Sequence, residues 1–536
     1  MALLVSNVFF DPTDEASDFR EGIASHLGLP VSAVRLVQLV RKSLDARHRK
    51  PRWVGVFRAE VIDEARVLAR QRPGVRAWNA RDEGRYGLDA EAPVRRQFDE
   101  DVRPIVVGMG PAGMFAAMYL AEAGAKVRIV ERGAAVDERI TTVNQYFRRR
   151  SGLDPETNLV FGEGGAGTFS DGKIYTRRRD GELGYIFRKL VEFGAPESVL
   201  QEAWAHLGTD AIRALLPPFR HRLEELGAEV HFGRRVVELI VDQGRCRGVV
   251  LDDGTALEGA PVLVGAGHSA RDSLEMMIRA GAAAAPRGIA IGARVEHPQT
   301  LIDQGRYGRT DRGDLPPASY RLAFHPDRGQ AARTFCMCPG GMVVPASNHA
   351  ERVVVNGMSF AARRSYWANS AVIVEVDPSA FGADDPMAGF RYQDAIEARA
   401  YALGGGSYAA PAQRVTDFLA GRASADVPRA SYPLGITPID LHEVLPAAIT
   451  GPMKQALRDF DRKLAGFAGA DGVLIAPETR TTSPVRFERT DDLQSPTLPG
   501  LYPIGEGAGY AGGIISSALD ALRAARSIAA SAPPSA

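Results

Sequence analysis

At residues 103–133 the chain reads RPIVVGMGPAGMFAAMYLAEAGAKVRIVERG, and this stretch restricts the fold more than any other. An apolar strand runs into Gly108, Gly110 and Gly113, Pro111 stands where a helix begins, and a second apolar strand closes on Glu131. Each residue type has a physical reason to be there. The first glycine permits a tight turn, the second lets backbone approach a pyrophosphate, and the third lets helix pack on strand. Proline at the first helical position loses no hydrogen bond, because that N–H has no partner within the helix. The free N–H groups and the helix dipole then hold phosphate, and an acid at Glu131 can accept a ribose hydroxyl while repelling a 2′-phosphate. The expectation is an α/β fold with a Rossmann-type dinucleotide site taking FAD or NAD rather than NADP.

A second stretch, VLVGAGHSARDSLEMMIRAGA, raises the question of a second nucleotide fold. Its strand enters Gly265, Gly267 and Ala270 before a helix, a GxGxxA pattern. Yet it follows RRVVELIVDQGRCRGVVLDDGTALEGAP, which reads as a three-stranded meander with turns at Gly244 and Asp253-Gly254. A second nucleotide fold would need a further strand closing on an acid about 20 residues on. The next such acid is Glu296, and Arg287 precedes its strand. Gly265 and Gly267 are therefore expected to pack close to the first fingerprint, with NAD(P)H at most a transient reductant at the flavin face.

Two more glycine-rich loops favour FAD over NAD. In YPIGEGAGYAGGIISS, Glu506 ends a strand and could bind a ribityl hydroxyl, while Gly512 and Gly513 open a helix whose N-terminus could face the flavin pyrimidine edge. In FGEGGAGTFSDGK the backbone can pass a flat ring, with Lys173 beside it. The residues expected around the cofactor are Gly108, Gly110, Pro111, Ala112, Gly113, Glu131, Arg132, Gly164, Gly165, Gly167, Thr168, Ser170, Asp171, Lys173, Val236, Gly265, Gly267, Gly505, Glu506, Gly512, Gly513 and Ile514.

Together, GMGPAG, GEGGAGTFSDGK, GHSARD, FCMCPGG, NGMS, PETRTTSPVR and GEGAGYAGG resemble a family of bacterial and plastid FAD-dependent dehydrogenases, and the N-terminal SLDAR is similar too. The resemblance covers nearly the whole chain. It implies a glutathione-reductase-type FAD domain with an inserted β-rich substrate domain, and it supplies no substrate. The expected division is an N-terminal α+β, ferredoxin-like module at 1–97, an FAD-binding domain at 98–275 and 486–536, and a substrate or cap domain at 276–485. Within the module a strand at 2–10, a helix at about 14–27 and two strands around a turn are expected. The polar stretch from Asn79 to Asp101 reads as a linker.

The candidates for chemistry are Lys173, Arg480, Arg486 and Cys338. Arg480 and Arg486 precede the last strand and could hold a carboxylate or phosphate substrate. Cys336 and Cys338 share one side of an extended strand, which reads as packing or pocket lining before dithiol chemistry. They lack partners for a zinc site. His268 reads as a satisfied structural donor rather than a base.

Arg35, Arg41, Lys42, Arg47, Arg49, Lys50, Arg52 and Arg58, with Trp53, form a basic stretch that reads as a solvated hairpin or as an RNA-docking surface. Globally there is no such bias, since 65 Lys and Arg balance 65 Asp and Glu. Three cysteines argue against a disulfide scaffold. The start MALLVSNVFF has no basic leader, and no apolar run reaches the ~18 residues of a membrane span, so a cytoplasmic protein is expected. The expected activity is hydride transfer between flavin N5 and a small molecule, with an anion among the candidates; a flavin monooxygenase or an RNA-binding or RNA-modifying flavoprotein is the alternative.

Overall fold

The structure is a computed structural model that describes residues 2–11, 16–46, 51–86, 92–99, 102–176, 180–327 and 329–533. The first element is an antiparallel sheet with strand order Val34–Asp45, Arg52–Val61, Leu3–Phe10, Val75–Ala77. The helix Ala16–Leu27 covers one face, and Leu3, Ile23, Leu27 and Phe57 are fully buried between them. Phe10, Phe19 and Phe57 meet edge to face, with centroids 5.3 to 6.1 Å apart. Three elements here were not legible in the sequence: the helix Glu64–Ala69, the strand Val75–Ala77 and the helix Ala80–Tyr86, the last lying in the stretch expected to be linker. The cause is plain for Ala80–Tyr86, whose helix is almost wholly polar and carries no apolar periodicity.

The fingerprint stretch forms a five-stranded parallel sheet, in the order Leu501–Pro503, Val262–Val264, Ile105–Val107, Arg128–Glu131, Glu229–Phe232. The strand Val262–Val264 therefore lies between the first fingerprint strand and the C-terminal one, and begins no separate nucleotide fold. The meander stands apart as a three-stranded sheet of Val236–Asp242, Arg245–Leu251 and Ala256–Glu258, with Gly244 and Gly254 at positive φ in its turns. On the parallel sheet, helices Pro111–Glu122 and Ile514–Ser531 pack on one another through alanines such as Ala116, Ala117, Ala518 and Ala525, all fully buried. A β-carbon on Gly113 would lie 1.8 Å from the Gly108 carbonyl oxygen, so only glycine allows this helix to sit on its strand.

The third body is a seven-stranded sheet ordered Ala323–Phe324, Ala332–Cys338, Trp367–Val376, Ile289–Pro298, Val473–Glu478, Ala410–Arg414, Ile436–Pro438. Its central strand, Ile289–Pro298, is buried along almost its whole length, which is why IAIGARVEHP shows little alternation. Glu296 lies within this strand and binds Ser431, not a nucleotide ribose position. No helix among the described residues is long and apolar enough to cross a membrane.

Candidate functional site

Glycine turns from distant parts of the chain converge at the carboxyl ends of the parallel strands, the usual ligand position in such sheets. A β-carbon on Gly108 would meet the Gly265 carbonyl at 2.8 Å, and one on Gly507 would meet the Gly267 carbonyl at 2.8 Å. One on Gly165 would come within 2.9 Å of Gly110 Cα. Backbone thus replaces side chain where these loops meet. What remains open is a cleft of about 1480 Å³, more than the roughly 300–1,000 Å³ of an ordinary small-ligand pocket.

Glu131 braces this end. It is 5% exposed; Oε2 accepts from Met109 N at 2.7 Å, and Oε1 accepts from Gly133 N and Gly162 N, both at 3.0 Å. It ties three loops together as well as lining the cleft. Two further braces escaped the sequence reading. Asp520 accepts from Gly505 N at 2.7 Å and from both Nη atoms of Arg489, pinning the C-terminal glycine turn. Arg139, fully buried, donates to the carbonyls of Asn158, Gly162 and Glu163, and burial draws its guanidinium down to about 9. The only signal for either was a charge within an apolar helix face.

The helices Pro111–Glu122 and Ile514–Ser531 begin at Gly110 and Gly513 without a side-chain cap, and both starts line the cleft. Their first N–H groups are therefore available to an anion or a carbonyl. Nothing would obstruct a ligand at Gly267 or Gly512, where no atom lies within 4 Å of an added β-carbon. His268 is half-buried; neither of its ring nitrogens has a hydrogen-bond partner among the described residues, and Nδ1 lies 3.4 Å from Glu506 Oε2. The expectation of a satisfied structural histidine is thereby corrected: this is an unfilled polar group beside the cleft.

At the far end the loop of Lys173 meets the seven-stranded sheet. Lys173 Nζ pairs with Asp171 Oδ2 at 2.6 Å and reaches the sulfurs of Cys336 and Cys338 at 3.8 and 3.9 Å. Asp171 also accepts from Ser359 Oγ, which contacts His206 Nε2 at 2.9 Å. Burial alone would lower the lysine and raise the aspartate. Burial is the largest single effect on each, but their mutual attraction together with His206 and Arg363 at the aspartate and the two cysteines at the lysine outweighs it, holding Lys173 above and Asp171 well below their usual ranges. For His206 burial wins over the Asp171 carboxylate, which keeps the ring neutral.

Most of the expected cofactor residues line the cleft, including Arg132, Gly167, Ser170, Val236 and Ile514. Gly113, Gly164, Thr168 and Gly505 lie behind it, and Thr168 is used internally, donating to the Glu163 carbonyl at 2.9 Å. Arg480 reaches the cleft wall, but Glu397 takes its Nε and Nη2 at 3.0 and 2.7 Å and Asn348 takes Nη1, so it holds two segments together instead of standing free for substrate. Arg486 is exposed, lies over the Tyr510 ring at 4.5 Å, and is not part of the lining. Arg271 pairs with Asp394 and Glu397, and Asp272 with Arg132. The cysteine strand is not regular: its register slips between Phe335 and Cys338, and Cys336 takes φ 45°.

The basic stretch divides. Lys42 pairs with Glu202 at 3.5 Å, and its backbone bridges to Gln201 and Ala203. Arg58 lies 3.8 Å from Glu83, while Arg47, Arg49 and Lys50 fall outside the described residues. Lys42, Trp53, Tyr175, Trp204 and Arg321 share the rim of the cleft; Tyr175 meets Trp204 edge to face at 4.6 Å and Arg321 lies over Trp204 at 4.8 Å.

Residues 101–284 match the family description "FAD binding domain", and residues 288–481 match "FAD-dependent protein, C-terminal domain-like". An uncharacterized protein of Clostridium beijerinckii is 36% identical over 533 residues, 98% of each chain. The chain belongs to this family of FAD-dependent proteins. Its cofactor is FAD, and the open glycine turns, the two uncapped helix starts and the unpartnered His268 are features such a dinucleotide would fill. Among solved structures, the flavin-dependent brominase Bmp2 is 12% identical, covering 80% of this chain and 78% of that one at a TM-score of 0.36. A geranylgeranyl bacteriochlorophyll reductase-like protein of Thermoplasma acidophilum is 13% identical, covering 79% and 77% at a TM-score of 0.34.

Proposed function

We propose that the protein is an FAD-dependent oxidoreductase that moves a hydride between a small molecule and the flavin. The observation that carries this reading is the single continuous cleft, running from Glu131 and the helix start at Gly110 to Lys173, His206 and Cys336. One end has the chemistry of a dinucleotide site and the other gathers charged and proton-bearing groups. FAD, when bound, supplies two-electron chemistry at its N5. Gly110 and Pro111 would receive the pyrophosphate and Glu131 the adenosine ribose; Gly512, Gly513 and Ile514 would face the flavin.

The chain's own residues would do the rest. Lys173 keeps a positive charge at Nζ, favouring substrates in which negative charge develops. His206 stays neutral, and its Nε2, facing the Ser359 hydroxyl and the Asp171 carboxylate, carries the ring proton and holds the two in place. The aromatic rim of Trp53, Tyr175 and Trp204, with Lys42 and Arg321, favours a flat anionic substrate. That use of Trp53 and Lys42 favours a small-molecule partner over RNA. We assign 98–275 and 486–536 to a glutathione-reductase-type FAD-binding body, 276–485 to the substrate body, and 1–97 to a ferredoxin-like module that walls the cleft mouth. A transient visit of NAD(P)H to the flavin face is part of this reading.

An anaerobic screen of small organic acids and NAD(P)H against the flavin-loaded protein tests it. A reductant should bleach the flavin without oxygen. Bleaching that yields product only when oxygen is present would favour a monooxygenase and overturn the proposal.

A further inference from the structure

Two sulfur atoms meet one ammonium at the inner end of the cleft. Cys336 is partly exposed and lines the cleft, whereas Cys338 is fully buried directly behind it. The strand is distorted to achieve this: Phe335 pairs with Ala371 but Cys338 with Asn369, one residue out of register, and Cys336 sits at φ 45°. A bulge with a non-glycine residue in the left-handed region persists only where the surroundings enforce it, and such sites concentrate where a side chain must be aimed. Here Arg294 enforces it. Fully buried and forked on Glu478, it donates through Nη1 to the Cys336 carbonyl at 3.0 Å, while the Cys338 thiol donates to the same carbonyl at 3.3 Å.

The charges around the pair are uneven. Lys173, Arg294 and Arg363 face Asp171 and Glu478, the second pushed up by burial to about 7, with neutral His206 beyond. A thiolate completes the balance. The neighbouring Cys338, then Lys173 and Arg294, outweigh burial and hold the Cys336 thiol well below the usual thiol range. Burial and the neighbouring Cys336 push the Cys338 thiol the other way.

We propose that Cys336 and Cys338 are a thiol–disulfide exchange pair, Cys336 attacking a small disulfide from the cleft and Cys338 resolving the product. In the first step the Cys336 thiolate forms an S–S bond to one sulfur of R–S–S–R, and that disulfide breaks with its electron pair leaving as RS⁻. In the second, Cys338 gives up its proton, attacks Cys336 Sγ and displaces the second RS⁻. The pair is oxidised to Cys336–S–S–Cys338, and the small disulfide is reduced to one thiolate and one thiol, which takes the Cys338 proton. This proposal goes beyond the hydride reading and stands without it, because the exchange draws no electrons from the flavin.

The test uses the FAD-loaded protein and the chromogenic aromatic disulfide of nitrothiobenzoate, with no reductant. The wild type should release two nitrothiobenzoate ions per chain in a fast phase and end with a link between 336 and 338 by mass mapping. Cys246 stays out of that phase, since it is buried and its thiol is pushed up to about 11. Cys338→Ser should release one ion and keep the mixed disulfide on Cys336. Cys336→Ser should lose the fast phase. Lys173→Gln should slow it about tenfold or more, and Lys173→Arg should restore it, since thiolate fraction sets the rate. Retained flavin absorbance identifies variants that remain folded. No fast release from the wild type, one ion with a lasting adduct on the wild type, or an undiminished rate in folded Lys173→Gln would each overturn the proposal.

Discussion

Glu131→Ala removes the acceptor of three buried backbone N–H groups, those of Met109, Gly133 and Gly162. A buried donor left without a partner costs about 1–3 kcal/mol, so three of them set an upper range of roughly 3–9 kcal/mol. Water can enter a space the size of a lost carboxylate beside an open cleft and recover about half of that. Some 2–4 kcal/mol then remains to be met when FAD reorders these loops, which weakens FAD binding by roughly 30- to 1,000-fold. Glu131→Gln keeps one carbonyl oxygen for two of the three amides but turns an NH₂ toward the third, so its loss should be intermediate, about tenfold. Flavin fluorescence titration of the apoprotein measures both. FAD affinity in Glu131→Ala within about threefold of wild type would refute the brace.

Removing residues 1–97 should leave FAD bound but weaken substrate saturation of flavin reduction, because among the described residues the module lines the cleft through Lys42, Ser43, Leu44, Ala46 and Trp53, none of them in the glycine turns; loss of the flavin itself would contradict that placement. If the basic stretch docks RNA, the same deletion should abolish salt-sensitive RNA retention. Gly267→Leu forces a side chain into φ 74° at an open face of the cleft, and flavin content after dialysis should fall. Should NADPH reduction disappear while FAD stays bound, a separate nicotinamide site exists. Burial raises Glu296 to about 7, so in the folded protein its proton is held more tightly than in the unfolded chain. That stability is present in acid and lost as pH rises through about 7. The melting temperature of Glu296→Gln should therefore gain on wild type between about pH 4.5 and about pH 7 and hold level above that, and a constant difference from about pH 4.5 to about pH 7 would contradict the shift.

The parallel sheet and its glycine turns were legible because close backbone approach leaves glycine no substitute. Gly108, Gly113 and Gly165 all carry contacts that a β-carbon would violate. The place of the strand Val262–Val264 followed from chain order alone, since a meander preceding it leads back into the first sheet. At the reactive end Lys173, Asp171 and Cys338 were legible as candidates, but their meeting with His206 and Ser359 was not. Its groups lie on loops and strands far apart in sequence, Asp171 and Lys173 against His206, Cys336 and Ser359, and no local period links them. The reading of the cysteine pair as packing or pocket lining agrees with their places, Cys336 in the cleft wall and Cys338 buried, but the slip in their strand was hidden, because alternation assumes a regular strand and Arg294, 42 residues from Cys336, meets this one where its register shifts. Arginines mislead similarly, because Arg480 has its partner, Glu397, on a helix that no sequence pattern brings near.

Hydride transfer within this one cleft is the chemistry we propose. Anaerobic stopped-flow reduction of the flavin-loaded protein, using a reductant found by screening and its counterpart deuterated at the donating carbon, tests that most directly. A severalfold slower bleaching with the deuterated compound, weakened in parallel by changes at Lys173, is the predicted result. Equal rates for the two isotopologues under conditions where bleaching is limited by chemistry, or a flavin that no small reductant bleaches, would contradict it.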